Sequence, residues 1–140
     1  MTIGAGDDDD LRLVIQQIAR RIRFHRGDEA LSDSQLSVLF HLEVAGPLTP
    51  SELAARNRVS PPSINRTLND LETAGLVTRA KSDDDARKVI IEPTPAAEAL
   101  LAETRRLRTA WFSQRLAALD PAERDALIGV LPVLRKLADT

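Results

Sequence analysis

The chain has 140 residues, 43% of them hydrophobic and 29% charged, with 19 basic and 21 acidic side chains and a formal net charge of −2. This composition is typical of a globular protein built as one domain, or as one domain with accessory helices. Because the chain has no cysteine, disulfides, thiolate metal sites and cysteine-based oxidant sensors are excluded. It also has no run of about 18 apolar residues and no signal-peptide pattern, so we expect a cytoplasmic protein.

The first third of the chain predicts two helices. An acidic run at residues 7–10 suits the first turn of a helix, because carboxylates are stabilised at the positive end of the helix macrodipole. An acidic tail that binds a partner is the alternative. Apolar residues then recur at helical spacing and predict one apolar face: Leu11, Val14, Ile15, Ile18 and Ile22. After a break at Gly27, a second helix is expected from Leu31-Ser32 to the Gly46-Pro47 pair. Its leucines and Phe40 are expected to pack beneath the next two helices.

Two short helices are predicted between Leu48 and Gly75. Thr49 can cap the first of them, because a proline follows it and Glu52 stands three residues later, as in a capping box. Ser60 can cap the second, and the two prolines after it cost little in a first turn, where backbone N–H groups have no intrahelical partner. Gly75 takes the position that glycine usually has after a helix end. This arrangement is a helix-turn-helix.

The second of these helices is predicted to have one buried and one outward face. Ile64, Leu68 and Leu71 recur at i, i+4 and i+7 and therefore share the buried face. The residues on the other side are Pro62, Asn65, Arg66 and Asn69. Amide and guanidinium groups are the groups that pair bidentately with adenine and guanine edges in the major groove of DNA. The outward face is thus a candidate surface for reading DNA.

A β-hairpin and two more helices complete the predicted elements. The segments Leu76–Arg79 and Lys88–Ile91 are predicted to pair as strands around a charged turn at residues 82–87. Pro95 then opens a long amphipathic helix. Asp120, followed by a proline and a glutamate, caps the last helix.

The terminal helices carry more apolar surface than the helix-turn-helix and the hairpin need for their own core. The first helix and the last two each have an apolar stripe, and a second copy of the chain is the simplest partner for it. Pro132 lies inside the apolar pattern of the last helix and is expected to kink that helix.

The order and spacing of these motifs resemble the MarR (multiple antibiotic resistance regulator) family of winged-helix transcription factors. The residues that carry the likeness are Leu48-Thr49, Glu52-Leu53-Ala54, Val59-Ser60, Ser63-Ile64-Asn65-Arg66, Leu71-Glu72, Gly75-Leu76-Val77, Arg79, Asp85 and Arg87. Two positions depart from the family pattern. Asp70 stands where a basic residue is frequent, and after the wing Pro93-Thr94-Pro95-Ala96-Ala97 stands in place of the usual Leu-Thr-x-x-Gly.

The resemblance implies a mainly α fold with a small β-hairpin wing and a chain in three parts. Residues 1–30 would form an N-terminal tail and dimerisation helix, residues 31–94 a winged helix-turn-helix DNA-binding domain, and residues 95–140 the C-terminal dimerisation helices. The protein would be a homodimeric transcriptional regulator, most simply a repressor, that a small aromatic or acidic ligand releases from DNA. Its two recognition helices would lie about 34–36 Å apart on a pseudo-palindromic operator in double-stranded DNA.

The predicted DNA contacts lie on the recognition helix and on the wing: Ser60, Pro62, Ser63, Asn65, Arg66, Asn69, Arg87 and Lys88. Arg66 is the leading candidate for a base or phosphate contact; the alternative is a surface ion pair with Asp70 four residues on. The resemblance implies that Arg87 enters the minor groove from the tip of the wing. This role is compatible with a salt bridge between Arg87 and Asp85, which would also stabilise the turn. Ser60 caps its helix, where a phosphate can also bind.

The local charge leaves a second interpretation open. Basic and acidic residues are equally numerous between Leu48 and Glu92, so DNA binding must depend on where these charges point. Asp70 on the recognition helix and Asp83–Asp85 in the wing favour the alternative of a winged-helix adaptor that binds protein and not DNA.

Other functional classes find little support in the sequence. Phe24, Phe40 and Trp111 are candidates to line a small-molecule pocket, and the alternative is that they belong to the core. No metal site is expected, because His25 and His41 are not paired at a ligand spacing. No enzyme or cofactor site is expected either, because the sequence has no nucleophile–base pair and no phosphate loop.

Overall fold

The computed structural model describes residues 4–85 and 87–139, which are mostly helical with one antiparallel hairpin. In chain order the elements are α1 (Ala5–Phe24), α2 (Asp33–Ala45), α3 (Pro50–Asn57), α4 (Pro61–Thr73), β1 (Val77–Lys81), β2 (Val89–Pro93), α5 (Pro95–Ala117), α6 (Pro121–Gly129) and α7 (Leu131–Ala138). The predicted fold class, mainly α with a small β-hairpin wing, is confirmed. The chain forms two compact units: Arg23–Leu107, here named the winged-helix unit, and the two ends up to Ile22 and from Arg108, here named the terminal unit.

Side-chain caps begin the helices of the winged-helix unit where the sequence predicts them. Thr49 Oγ1 accepts a hydrogen bond from the backbone N–H of Glu52 at 3.2 Å, and the Glu52 carboxylate accepts one from the N–H of Thr49 at 3.4 Å. Ser60 Oγ accepts from the N–H of Ser63 at 3.3 Å. A capping box also begins α2 at Ser32. These bonds satisfy N–H groups that have no partner within the helix.

Two residues in the left-handed region end the short helices. Arg58 follows α3 with φ of 53°, and its N–H donates to the carbonyl of Ala55 at 3.2 Å. Gly75 follows α4 with φ of 75°, and its N–H donates to the carbonyl of Glu72 at 3.0 Å. A positive φ is easy for glycine and costly for other residues, so the predicted role of Gly75 is confirmed.

The core of the winged-helix unit lies beneath α4. Ile64, Leu68 and Leu71 on its inner face are at most 2% exposed. They belong to one cluster with apolar residues from α2, α3, the hairpin and α5: Leu36, Val38, Leu39, Leu42, Leu53, Val77, Ile91 and Leu101. Phe40 packs half-buried against this cluster, as predicted. Because protein cores are close-packed, this inner face holds α4 against rotation about its own axis and so fixes the direction of its outer face.

The hairpin is antiparallel, with Val77 opposite Pro93 at its base. Both strands begin and end one or two residues later than predicted. Leu76 does not belong to β1, because its N–H bonds back to the last turn of α4 at 2.9 Å. Leu48 adds a short third segment, since it exchanges two backbone hydrogen bonds with Ile91, at 3.2 and 2.7 Å.

The terminal unit departs from the prediction at Pro132. The structure has two separate helices, α6 and α7, where the sequence predicts one kinked helix. Proline has no N–H to donate to the carbonyl four residues before it, and its ring crowds that carbonyl, so α6 ends before Pro132. Pro132 then lies in the first turn of α7, where a missing N–H costs little.

The predicted cap of the last helix is confirmed at the start of α6. Asp120 accepts a hydrogen bond from the backbone N–H of Glu123 at 2.9 Å, and this bond holds the pKa of Asp120 below its usual value. Among the described residues, no helix is both long enough and apolar enough to span a membrane.

Candidate nucleic-acid interface

The outward face of α4 carries compact polar side chains and one arginine. Pro62, Asn65, Arg66 and Asn69 are exposed, whereas Ser63 is half-buried. The division of α4 into a buried apolar face and an outward polar face is therefore confirmed. Because the inner face is packed, these amide and guanidinium groups point in a fixed direction, away from the core.

The guanidinium of Arg66 forms no ion pair within residues 4–85 and 87–139. The alternative pair with Asp70 is not formed, although both side chains are exposed on α4. The positive charge of Arg66 is therefore available to a phosphate or to the acceptor pair of a guanine edge.

The wing turn presents Arg87 and Lys88 as exposed side chains. Asp85 Oδ1 accepts from the backbone N–H of Arg87 at 3.0 Å, and the Asp85 carbonyl accepts from the N–H of Lys88 at 3.0 Å. The salt bridge considered between Asp85 and the guanidinium of Arg87 is wrong: the described residues give Arg87 no ion pair. An aspartate carboxylate readily bonds the N–H two residues on, so it closes the turn and leaves the guanidinium exposed.

A contact that the sequence does not predict ties α4 to the hairpin. Arg79 of β1 donates from Nη2 to Oδ1 of Asn69 at 2.8 Å. The Nε atom of Arg79 lies 3.9 Å from Oε2 of Glu72. Asn69 and Glu72 are three residues apart on α4, so one side chain can reach both. Sequence spacing reveals that these two are neighbours, but it carries no signal that a strand residue lies beside them.

The three aromatic candidates for a ligand pocket lie in different surroundings. Phe24 is 73% exposed, so the alternative that it belongs to the core is wrong. Phe40 is half-buried against the core of the winged-helix unit. Trp111 lies in the terminal unit, where it lines an open apolar groove of about 870 Å³ and has the guanidinium of Arg115 5.3 Å from its ring centroid. Their role in ligand binding stays a prediction.

Comparisons with known proteins point to the same class of protein as the outward face of α4 does. The family model described as MarR family matches residues 31–88. An HTH-type transcriptional regulator of Mycobacterium tuberculosis is 37% identical over 130 residues, which are 93% of this chain and 91% of that protein. The chain belongs to the MarR family.

Solved structures share the fold of this MarR-family chain. A protein of Pseudomonas aeruginosa described as a transcriptional regulator is 30% identical with a TM-score of 0.83, and the match covers 95% of this chain and 94% of that one. A point mutant of the Staphylococcus aureus regulator MepR, bound to an oligodeoxyribonucleotide, has a TM-score of 0.73 at 16% identity, over 94% and 96% of the two chains. The protein is thus a DNA-binding winged-helix transcriptional regulator, a class that is not enzymatic.

Proposed function

We propose that the protein is a homodimeric repressor that binds a pseudo-palindromic operator in double-stranded DNA. Helix α4 of each protomer enters the major groove, and the wing reaches the adjacent minor groove. The proposed contacts are Ser60, Pro62, Ser63, Asn65, Arg66, Asn69, Arg87 and Lys88. The proposal rests on the outer face of α4, which is exposed and polar and is held in place by the packed apolar residues behind it. This face also carries Arg66, which has no ion pair among the described residues.

The terminal unit supports the homodimer. Helices α6 and α7 have no buried residue within the described part of the chain. These helices and the residue that joins them nevertheless present exposed apolar side chains at helical spacing: Leu127, Val130, Leu131, Leu134 and Leu137. In α1, five large apolar residues between Leu11 and Ile18 are 41–56% exposed. Apolar surface of this extent marks an interaction site, and a second copy presents the same face by twofold symmetry.

Repression by this geometry depends on the distance between the two α4 helices. Helices about 34–36 Å apart match one turn of DNA, so both can bind the same face of the duplex. A dimer bound to an operator within a promoter then occludes that promoter. A small aromatic or acidic ligand that binds preferentially to a dimer with another spacing would release the DNA, because differential affinity is what shifts such an equilibrium. Trp111 and Arg115, at the apolar groove of the terminal unit, offer an aromatic ring and a cation to a ligand of this kind.

A second candidate function is an adaptor that binds protein and not DNA. It is favoured by the exposed carboxylates of Asp70 on α4 and of Asp83 and Asp84 in the wing. Like charges near the phosphate backbone would weaken DNA binding, so the two candidates differ in a measurable way.

Fluorescence anisotropy with the DNA upstream of the protein's own gene, at two salt concentrations, separates these candidates. If the protein is the proposed repressor, an excess of unrelated duplex should not displace it from this DNA. Its affinity should also fall steeply as the salt concentration rises, because each phosphate contact releases counterions. No binding to this DNA even at low salt, together with no binding to a randomised duplex pool, would favour the adaptor.

A further inference from the structure

We infer that Arg79 is a positioning residue for sequence recognition. It holds the amide of Asn69 so that the amide nitrogen, and not the amide oxygen, is offered to the DNA. The inference rests on the proposed function, because it requires α4 to lie in the major groove. It concerns which base α4 selects, and not whether α4 binds.

The chemistry of the contact fixes the orientation of the amide. Arg79 Nη2 donates to Asn69 Oδ1 at 2.8 Å, and Glu72 holds the same guanidinium from the next turn of α4. The bond lies at the surface, where the Arg79 side chain is 33% exposed. A guanidinium has donors and no acceptor. Turning the amide over would place its NH₂ group against those donors and lose the bond, so the oxygen faces Arg79.

This orientation determines which base edge Asn69 can meet. An unrestrained asparagine pairs bidentately with adenine, because it uses its oxygen and its nitrogen together. With the oxygen of Asn69 turned toward Arg79, the group that leads toward a base is the NH₂ donor. In the major groove guanine presents two adjacent acceptors, N7 and O6, which can take both hydrogens of this group, whereas adenine presents one acceptor, N7, beside a donor. We therefore expect a G·C pair with guanine on the strand that Asn69 contacts, in preference to an A·T pair with adenine there.

The test measures base preference at a single operator position. Operator duplexes that carry each of the four bases at every position of a half-site are titrated by fluorescence anisotropy. The position of interest is the one at which Asn69→Ala loses its preference. Wild type should prefer guanine over adenine on the contacted strand there by about fivefold or more, the low end for a bidentate base contact. Arg79→Met keeps the length of the side chain but removes its donors, so the amide can turn and the preference should vanish or shift to adenine.

Two matched variants separate positioning from a merely structural role. Arg79→Lys keeps a donor for the amide oxygen and should retain the guanine preference. Glu72→Gln removes the ion pair but leaves the contact between Arg79 and Asn69, so it should retain the preference as well. A structural role alone would lower the affinity for all four duplexes by the same factor. Thermal unfolding of each variant shows whether the hairpin remains folded.

Several outcomes would overturn the inference while the proposed function stands. They are a wild-type preference for adenine at this position, an Arg79→Met protein with the wild-type preference, or an Asn69→Ala protein that loses no preference at any position. A wild-type protein that binds no operator at all would overturn the inference and the proposed function together.

Discussion

Replacing Leu134 by aspartate should dissociate the proposed dimer. Leu134 lies in α7 and is 39% exposed in the single chain. Burying a whole leucine side chain contributes about 1.5–3 kcal/mol, so the exposed part of Leu134 contributes about 1 kcal/mol when a second copy covers it. Twofold symmetry places the residue in the interface twice, which makes the lost contribution about 2 kcal/mol and raises the dimer dissociation constant about 30-fold. Two unpaired carboxylates in an apolar interface add to this cost, so about 30-fold is a lower bound.

Sedimentation velocity over a concentration series measures this dissociation constant. Val44→Asp is the matched control, because Val44 is 84% exposed on α2 and the same new charge there remains in water. Far-ultraviolet circular dichroism should show that both variants keep their helices. A Leu134→Asp protein with the wild-type constant, or a wild-type protein that stays monomeric at every concentration, would refute the reasoning.

Four further substitutions test other parts of the molecule. Arg66→Ala should weaken operator binding by about 1–3 kcal/mol per half-site and relax the sequence preference, measured by anisotropy with the operator and a scrambled duplex. Arg87→Ala should weaken binding to both duplexes alike and lower the slope of log affinity against log salt by about one for each wing. Leu68→Ala opens a cavity under α4, so urea unfolding should show a loss of about 2–5 kcal/mol in the free energy of unfolding. Thr49→Ala removes the cap of α3 and should cost about 1 kcal/mol in the same assay.

The two binding predictions have a control within the chain. Arg124 is an exposed arginine of α6, outside the winged-helix unit, so Arg124→Ala should leave operator binding unchanged. If it weakened binding as much as Arg66→Ala does, general loss of positive charge would explain both results. Unfolding free energies of Leu68→Ala and Thr49→Ala equal to that of wild type would contradict the packing beneath α4 and the capping box of α3.

Features set by neighbours in the chain could be predicted from the sequence. The capping pair of Thr49 and Glu52, the glycine stop at Gly75 and the buried stripe that includes Leu68 each depend on residues within one or two helical turns. For the same reason the outward face of α4 could be predicted from the sequence alone, since its direction follows from the spacing of the buried residues.

Features set by distant residues, or by a choice between two local bonds, could not be predicted. The pairing of Leu48 with Ile91 and the contact between Arg79 and Asn69 join different elements, so no spacing rule reveals them. Asp85 had two local partners available, the guanidinium and the backbone N–H of Arg87, and the shorter reach of the backbone bond decided the outcome.

We claim that the outer face of α4 reads DNA in two symmetric copies, and selection of bound duplexes from a randomised DNA library can show this. For wild type we predict a twofold-symmetric consensus with half-site centres about 10–10.5 base pairs apart. For Arg66→Ala we predict that base preference inside each half-site is lost. A wild-type protein that enriches no consensus, or an Arg66→Ala protein that enriches the same one, would contradict the claim.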